Sequence, residues 1–162
     1  MIEAKGWKRI PGLRARLTKA AAATSARLPK KFRFSFSANV LLTGNACVKQ
    51  LNHDFRGIDK PTNVLSFPQF MLPDLPKLGK EKKPVALGDI AIAYMYTAKE
   101  AKENNKLLEN HTVHLLIHGL LHLFGYDHLS DLDARKMEKL ETEIMKDLEL
   151  PNPYAPQQQA RT

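Results

Sequence analysis

Apolar residues recur along this chain with two periods, and these periods predict its strands and helices. Residues 31–43 carry an apolar side chain at every second position, which is typical of a strand with one buried face. Two further short apolar runs, at residues 63–67 and 87–94, also predict strands. Apolar spacings of three and four residues predict helices over residues 11–28, 46–56, 98–105, 107–124 and 131–148.

The order of these elements predicts the fold class. Strands and helices first alternate and then two helices follow each other, which favours an α+β fold with a small mixed sheet of about four strands. We expect residues 1–162 to form a single domain, because neither a repeat nor a second core is indicated. The proline- and lysine-rich residues 68–84 predict a surface loop, and the tail at residues 151–162 is expected to be loose.

The net charge of +8 lies entirely at one end of the chain. Residues 1–31, a basic N-terminal helical segment, hold nine Lys or Arg and one acidic residue, whereas the other 131 residues hold 16 of each sign. Such a segment suits the phosphate backbone of RNA, because neutralising phosphates releases condensed counterions. A solvated helix face and an organelle transit peptide are alternative interpretations of the same composition.

Cysteine content and hydropathy limit the possible cellular locations of the protein. Cys47 is the only cysteine, so the chain can form neither an internal disulfide nor a cysteine-rich metal site. This composition favours a reducing, cytoplasmic location. The longest apolar stretches are interrupted by histidines and fall short of the roughly 20 residues that a membrane-spanning helix needs, so no membrane partner is expected.

Three histidines stand in the string HGLLHLFGYDH at residues 118–128. His118 and His122 are four residues apart, so one face of a helix presents both imidazoles. Gly125 can take the left-handed conformation that ends a helix, which would return His128 toward the same point. The spacing is that of the metzincin peptidases, except that Gly119 replaces their glutamate. It predicts one zinc ion per chain on the three histidines.

Three histidine ligands leave one coordination position for water or substrate, the arrangement of a catalytic rather than a structural zinc. Two other side chains near the histidines could hydrogen-bond to a metal-binding imidazole and so orient it. His114 lies one turn earlier on the same stripe and is otherwise a core residue. Asp127 adjoins a ligand and otherwise caps the turn. The remaining histidines, His53 and His111, are expected to be exposed.

The histidine string is one of several that resemble a known family. Together with LNHDFRGIDKPTNVLSFP at residues 51–68 and LGDIAIA at residues 87–93, it strongly resembles the YbeY family of bacterial and organellar endoribonucleases. The three strings occur in the family's order, and the similarity extends from about residue 40 to residue 154, including ETEIM and the closing NPY. The resemblance implies a zincin-like fold, with a small mixed sheet packed against a central zinc-binding helix.

The same resemblance implies a function. It indicates a zinc-dependent endoribonuclease of the cytoplasm, specific for single strands, that matures the 3′ end of the 16S RNA and takes part in ribosome quality control. The implied partners are single-stranded RNA, ribosomal RNA and the small ribosomal subunit. By position, the zinc ligands fall on His118, His122 and His128, and the family's arginine near the metal falls on Arg56. A guanidinium can hold a phosphate bidentately; an arginine exposed at the end of a helix is the alternative interpretation.

The family's sheet opens with a strand before the first helix, and residues 1–7 leave little room for it. Two other functions remain open. A metallopeptidase shares the ligand spacing, and the strand at residues 87–94 could pair with an extended peptide, but Gly119 removes the usual general base. Alternatively, zinc could only stabilise a non-catalytic ribosome-assembly factor. The sequence decides neither the general base nor whether water or the 2′-hydroxyl of RNA attacks.

Overall fold

A mixed three-stranded sheet organises the computed structural model, which describes residues 1–80 and 83–155. Its strands are β1 (Phe36–Thr43), β2 (Val64–Pro68) and β3 (Val85–Ala93), in the spatial order β1-β3-β2. β3 pairs in parallel with β1 and antiparallel with β2. Because β3 is central, both its edges are already paired, and the prediction that this strand could accept a peptide as an edge partner is wrong.

Helices cover both faces of the sheet. The described residues form α1 (Leu13–Arg27), α2 (Asn45–Arg56), the single turn α3 (Leu75–Leu78), α4 (Tyr94–Glu103), α5 (Leu108–Leu123) and α6 (Asp131–Asp147). α5 packs against β2 and β3 and also contacts α1, α4 and α6. On the opposite face, Val48 of α2 packs against the small side chains Ala91 and Ala93 of β3. Successive side chains of β3 therefore point to opposite faces of the sheet and belong to two different cores, as the period of a strand requires.

α5 is the central helix of the domain. Eleven of its sixteen residues are buried, which explains why apolar side chains surround its axis instead of forming one stripe. Histidines and Thr112 interrupt this apolar surface. Among the described residues, no helix combines the length and the apolar character needed to cross a membrane.

The predicted α+β fold with a small mixed sheet is confirmed, but the sheet has three strands where about four were predicted. The N-terminal residues make only an isolated parallel bridge between Ile2 and Leu42. In this bridge the Leu42 N–H donates to the Met1 carbonyl at 2.9 Å, and the Glu3 N–H donates to the Leu42 carbonyl at 2.8 Å. The chain then turns at Trp7–Arg9, which limits the family's opening strand to this bridge.

In three regions the structure differs from prediction because contacts with distant residues decide it. The strand predicted over residues 31–43 begins at Phe36, since Phe32 lies in a short 3-10 turn and packs against Phe124. The predicted loop at residues 68–84 contains α3, whose Leu75 is completely buried in the main core. The start of the tail is not loose, because the Lys106 ammonium donates to the Pro153 carbonyl at 2.7 Å. Residues 156–162 of the predicted tail lie outside the described residues.

Trp7 should be a large contributor to stability. Its ring is completely buried, its Nε1–H donates to the Thr43 carbonyl at 3.0 Å, and its ring packs edge-on against Tyr94 at 5.1 Å. We expect Trp7→Ala to lower the free energy of unfolding by about 3–5 kcal/mol, measured by urea denaturation with circular dichroism. Met95→Ala, at a side chain 62% exposed, is the control and should change it by less than about 0.5 kcal/mol. Equal midpoints would show that the N-terminal residues do not stabilise the domain.

Candidate metal centre and catalytic cleft

Three imidazoles meet where α5 ends. His118 and His122 lie one turn apart on α5, and the chain returns His128 to them after a turn at Gly125. Gly125 has a φ of +84°, in the left-handed region that favours glycine, and a Cβ there would lie 2.6 Å from the Leu72 side chain. The structure therefore brings together the three predicted ligands, with one ring nitrogen of each within 4.8 Å of the others.

The ring nitrogens face one another in a way that fits a shared cation. Nε2 of His122 lies 3.1 Å from Nε2 of His118. Two nitrogens bound to one tetrahedral zinc ion at about 2.0–2.1 Å stand roughly 3.3 Å apart. Burial, with the nearby imidazoles of His118 and His128, lowers the pKa of His122 to about 4. His122 is thus neutral at physiological pH, the form that binds a metal, so the donor set could hold an ion such as zinc.

A buried carboxylate orients His118. Glu141 of α6 is completely buried, and its Oε1 lies 2.6 Å from Nδ1 of His118. Desolvation opposes ionisation, but hydrogen bonds from His114 and His118 outweigh it and lower the pKa of Glu141 to about 2. An ionised carboxylate only accepts hydrogen bonds, so the proton of His118 resides on Nδ1 and Nε2 is free for a metal.

Sequence reasoning missed this role of Glu141, although a signal was available. The residue follows Met137 by four positions and precedes Met145 by four, and both methionines are buried on the core-facing side of α6. A glutamate on the apolar stripe of an amphipathic helix is costly unless it is hydrogen-bonded, so its position alone marks it as special.

His114 and the tail complete the surroundings of Glu141. Nε2 of His114 lies 3.4 Å from Glu141 Oε2, and the Tyr154 hydroxyl donates to the same oxygen. Burial and the adjacent carboxylate raise the pKa of Tyr154, which keeps its proton available for donation. His114 therefore lies behind the metal centre, where it contacts the carboxylate that orients His118.

Asp127 supports the backbone of the turn. Its Oδ1 accepts a hydrogen bond from the His128 N–H at 2.7 Å, so it caps the turn that carries His128. Among the remaining histidines, His53 is exposed, as predicted. The prediction that His111 is exposed is wrong: it is 7% exposed, and its Nε2 lies 2.9 Å from Glu100 Oε2. The cause is α4, which covers this side of α5 and supplies the acceptor.

Arg56 lines the same cleft as the three histidines. The cleft has a volume of about 690 Å³ and runs along β2, between the ends of α2 and α5. α2 ends at Arg56 because Gly57 adopts a φ of +69°, and the Asn52 amide donates to the Lys60 carbonyl at 2.8 Å, which ties the following loop to the helix. The exposed Arg56 side chain has no hydrogen bond or ion pair to residues 1–80 or 83–155, so it is available to a ligand in the cleft.

Gly119 lies on the side of α5 that faces the sheet. A Cβ at this position would lie 3.1 Å from the Ile90 side chain and 3.1 Å from Ser66 Oγ. This is tighter than almost all natural Cβ contacts. A side chain at position 119 would need Ile90 and Ser66 to give way by a few tenths of an ångström, and the general base of metzincin peptidases is absent from this position.

Comparison with known proteins identifies the family. The family model described as Endoribonuclease YbeY matches residues 7–149, which is most of the chain. This chain belongs to the YbeY family of endoribonucleases. Membership confirms the resemblance, and it makes the chain an enzyme of the hydrolytic nucleases.

Individual members of the YbeY family are also similar to this chain in sequence. A relative named Endoribonuclease YbeY from Bradyrhizobium sp. strain BTAi1 is 53% identical over 116 residues, covering 72% of this chain and 68% of the relative. A relative of the same name from Bradyrhizobium diazoefficiens is 44% identical over 155 residues, covering 96% and 83%. The solution structure of a Thermotoga maritima protein is 27% identical, with a TM-score of 0.57 over 95% of this chain and 96% of that protein.

Glu141→Gln should weaken metal binding by this YbeY protein without changing any ligand. The amide keeps the shape of the side chain but replaces the charged acceptor of His118, and loss of such outer partners typically lowers metal affinity about 10–100-fold. We expect this decrease in a zinc titration against a competing chelator.

Glu143→Gln is the matched control, because Glu143 lies on the same helix and contacts Arg27 at the surface at 3.6 Å. Thermal unfolding of both variants without metal separates a loss of affinity from a loss of fold. Equal zinc affinities for the two variants would contradict the orienting role of Glu141.

Proposed function

We propose that this chain is a zinc-dependent endoribonuclease that cleaves single-stranded RNA in the cleft between Arg56 and the three histidines. One observation carries the proposal: a single cleft is lined by a cluster of three imidazoles and by an arginine that has no partner in the part of the chain that the structure describes. Family membership supports the reaction class, and the chemistry of the donor set supports zinc.

Each group of the cleft has a proposed role. His118, His122 and His128 hold the zinc ion, which when bound supplies a Lewis acid for the phosphodiester. Glu141 keeps the proton of His118 on Nδ1, away from the metal. Arg56 binds two phosphate oxygens and stabilises the negative charge that develops on phosphorus. Attack by the RNA's own 2′-hydroxyl would leave a 2′,3′-cyclic phosphate, whereas attack by water would not, so analysis of the product ends identifies the nucleophile.

We further propose ribosomal RNA as the substrate, at the 3′ end of the 16S RNA, with the small ribosomal subunit as partner and the cytoplasm as location. Action in ribosome quality control belongs to the same proposal. The family resemblance supports these assignments. The basic segment at residues 1–31 supports contact with RNA phosphates, because α1 packs on α5 and α6 while its Lys and Arg side chains are exposed.

The two rival functions have less support. A peptidase would lack its usual general base, because position 119 is glycine, and the strand suggested for peptide pairing, β3, is already paired on both sides. A non-catalytic, zinc-stabilised assembly factor would need the histidines and Glu141 but would not need an arginine in the same cleft. Arg56 therefore discriminates between the nuclease and the assembly factor.

Arg56→Ala should abolish most cleavage while leaving the metal centre intact. We expect the cleavage rate of single-stranded RNA to fall about 10²–10³-fold, because one charged stabiliser of the transition state is removed. Zinc content, measured by mass spectrometry, and melting temperature should be unchanged.

Arg135→Ala is the control, at an exposed arginine of α6 whose Nε–H donates to the Asp131 carbonyl. If Arg56→Ala cleaves RNA as fast as the control, the assignment of Arg56 is wrong. If the unaltered protein binds zinc and cleaves no RNA, the assembly factor becomes the better interpretation.

His122→Ala should remove both metal and activity. With one of three ligands lost, we expect zinc content to fall from about one ion per chain toward zero and RNA cleavage to disappear, as a chelator should also achieve with the unaltered protein. His53→Ala, at the exposed histidine of α2, should change neither quantity. Full zinc occupancy in His122→Ala would contradict the proposed ligand set.

A further inference from the structure

The residues after α6 return to the two helices that surround the metal centre. The chain reverses at Glu149, whose φ of +58° lies in the left-handed region. Pro153 is buried, and its carbonyl accepts a hydrogen bond from the Lys106 ammonium, just before α5, at 2.7 Å. We call residues 150–155 the tail strap, because they join the start of α5 to α6.

Tyr154 connects the tail strap to the carboxylate that orients His118. Its hydroxyl donates to Oε2 of Glu141, and its ring packs edge-on against the ring of His114, with the centroids 5.4 Å apart. The other oxygen of the same carboxylate, Oε1, lies 2.6 Å from Nδ1 of His118. A single carboxylate therefore separates the tail strap from one of the three histidines of the cleft.

We propose that the tail strap is coupled to the metal centre. Tyr154 is a positioning residue that fixes Glu141 on His118, so the docked strap strengthens metal binding and a bound metal in turn strengthens docking of the strap. The inference rests on the zinc site of the proposed function and not on the nuclease reaction. It adds to that function a means by which the tail controls how well the site holds its metal.

The geometry around Glu141 explains why the Tyr154 hydroxyl matters. The carboxylate is completely buried, so each of its oxygens needs a donor from the protein. Nε2 of His114 lies 3.4 Å from Oε2, beyond the roughly 2.7–3.2 Å of an ordinary N–H···O hydrogen bond, which leaves Tyr154 as the principal donor to that oxygen. Without the hydroxyl, the carboxylate would turn toward another donor or admit water, and either change disturbs its contact with His118.

The coupling acts in both directions. The factor by which a docked strap raises the affinity for metal equals the factor by which metal favours docking, because both belong to one thermodynamic cycle. The strap lies at the surface, with Tyr154 44% exposed, and opening of such a segment costs less free energy than unfolding of the domain. A strap that only stabilised the fold would be indifferent to metal, so reciprocity distinguishes the two roles.

Tyr154→Phe tests the first direction, because it removes the hydroxyl and keeps the ring. Tyr96→Phe is the matched control: Tyr96 is half-buried against the opposite face of the sheet, and its hydroxyl makes no hydrogen bond within residues 1–80 and 83–155. Zinc affinity of the full chain is measured by titration against a competing chelator. We expect Tyr154→Phe to bind zinc about tenfold more weakly than the control, the lower end of the loss caused by removing an outer partner, since Tyr154 acts through Glu141.

Hydrogen exchange tests the second direction. The Tyr154 N–H donates to Oδ1 of Asn152 at 2.9 Å within the tail strap, and its exchange rate can be followed by NMR with and without zinc. In the unaltered protein, zinc should slow this exchange by about the same tenfold factor. In Tyr154→Phe, zinc should leave the exchange rate at position 154 almost unchanged, because the link to Glu141 is lost.

Equal zinc affinities in Tyr154→Phe and the control would overturn the coupling, and so would exchange at Tyr154 that does not respond to zinc in the unaltered protein. A lower melting temperature of metal-free Tyr154→Phe with unchanged zinc affinity would leave the strap a purely structural role. Cleavage of single-stranded RNA by the zinc-loaded, unaltered protein is measured separately. Coupling without cleavage would reject the nuclease and not the coupling, whereas cleavage with equal variants would reject only the coupling.

Discussion

The structure depends on one buried carboxylate and on the groups that satisfy it. Glu141 has no exposed surface, and an isolated charge in such a place would be prohibitively costly. Its partners are His114 and His118 from α5 and Tyr154 from the segment after α6. The fold must therefore hold two helices and the start of the tail in register for the charge to be stable. The same arrangement leaves Nε2 of His118 facing the cleft.

α5 serves the core and the site at once. Gly119 lets it lie close to the sheet, where a Cβ would be 3.1 Å from the Ile90 and Ser66 side chains, and its end requires the left-handed turn at Gly125. The first brings His118 and His122 close to the paired strands, and the second returns His128 to them. Because α5 is packed in the core and Glu141 holds His118, these contacts restrict the rotamers of His118 and His122 before a cation binds, which is how a preorganised site gains affinity.

The cleft follows an edge of the sheet. β2 pairs only with β3 within the described residues, and its other side lies between the end of α2, which carries Arg56, and the end of α5. Arg56 and the histidine cluster thus line one cleft beside this edge of the sheet.

The sequence by itself determined what depends on neighbours along the chain. The spacing of His118 and His122, the glycine before His128 and the alternation of β1 all follow from local backbone periods, so the cluster of three histidines and the fold class were predictable. The tertiary structure alone decided what depends on distant partners. His118 and Glu141 are 23 residues apart, and Trp7 and Thr43 are 36 apart. The tertiary structure also decided that His111 is buried, that Ile2 forms only an isolated bridge and that the start of the tail is anchored. A pattern of apolar and polar residues does not specify which buried polar groups will meet.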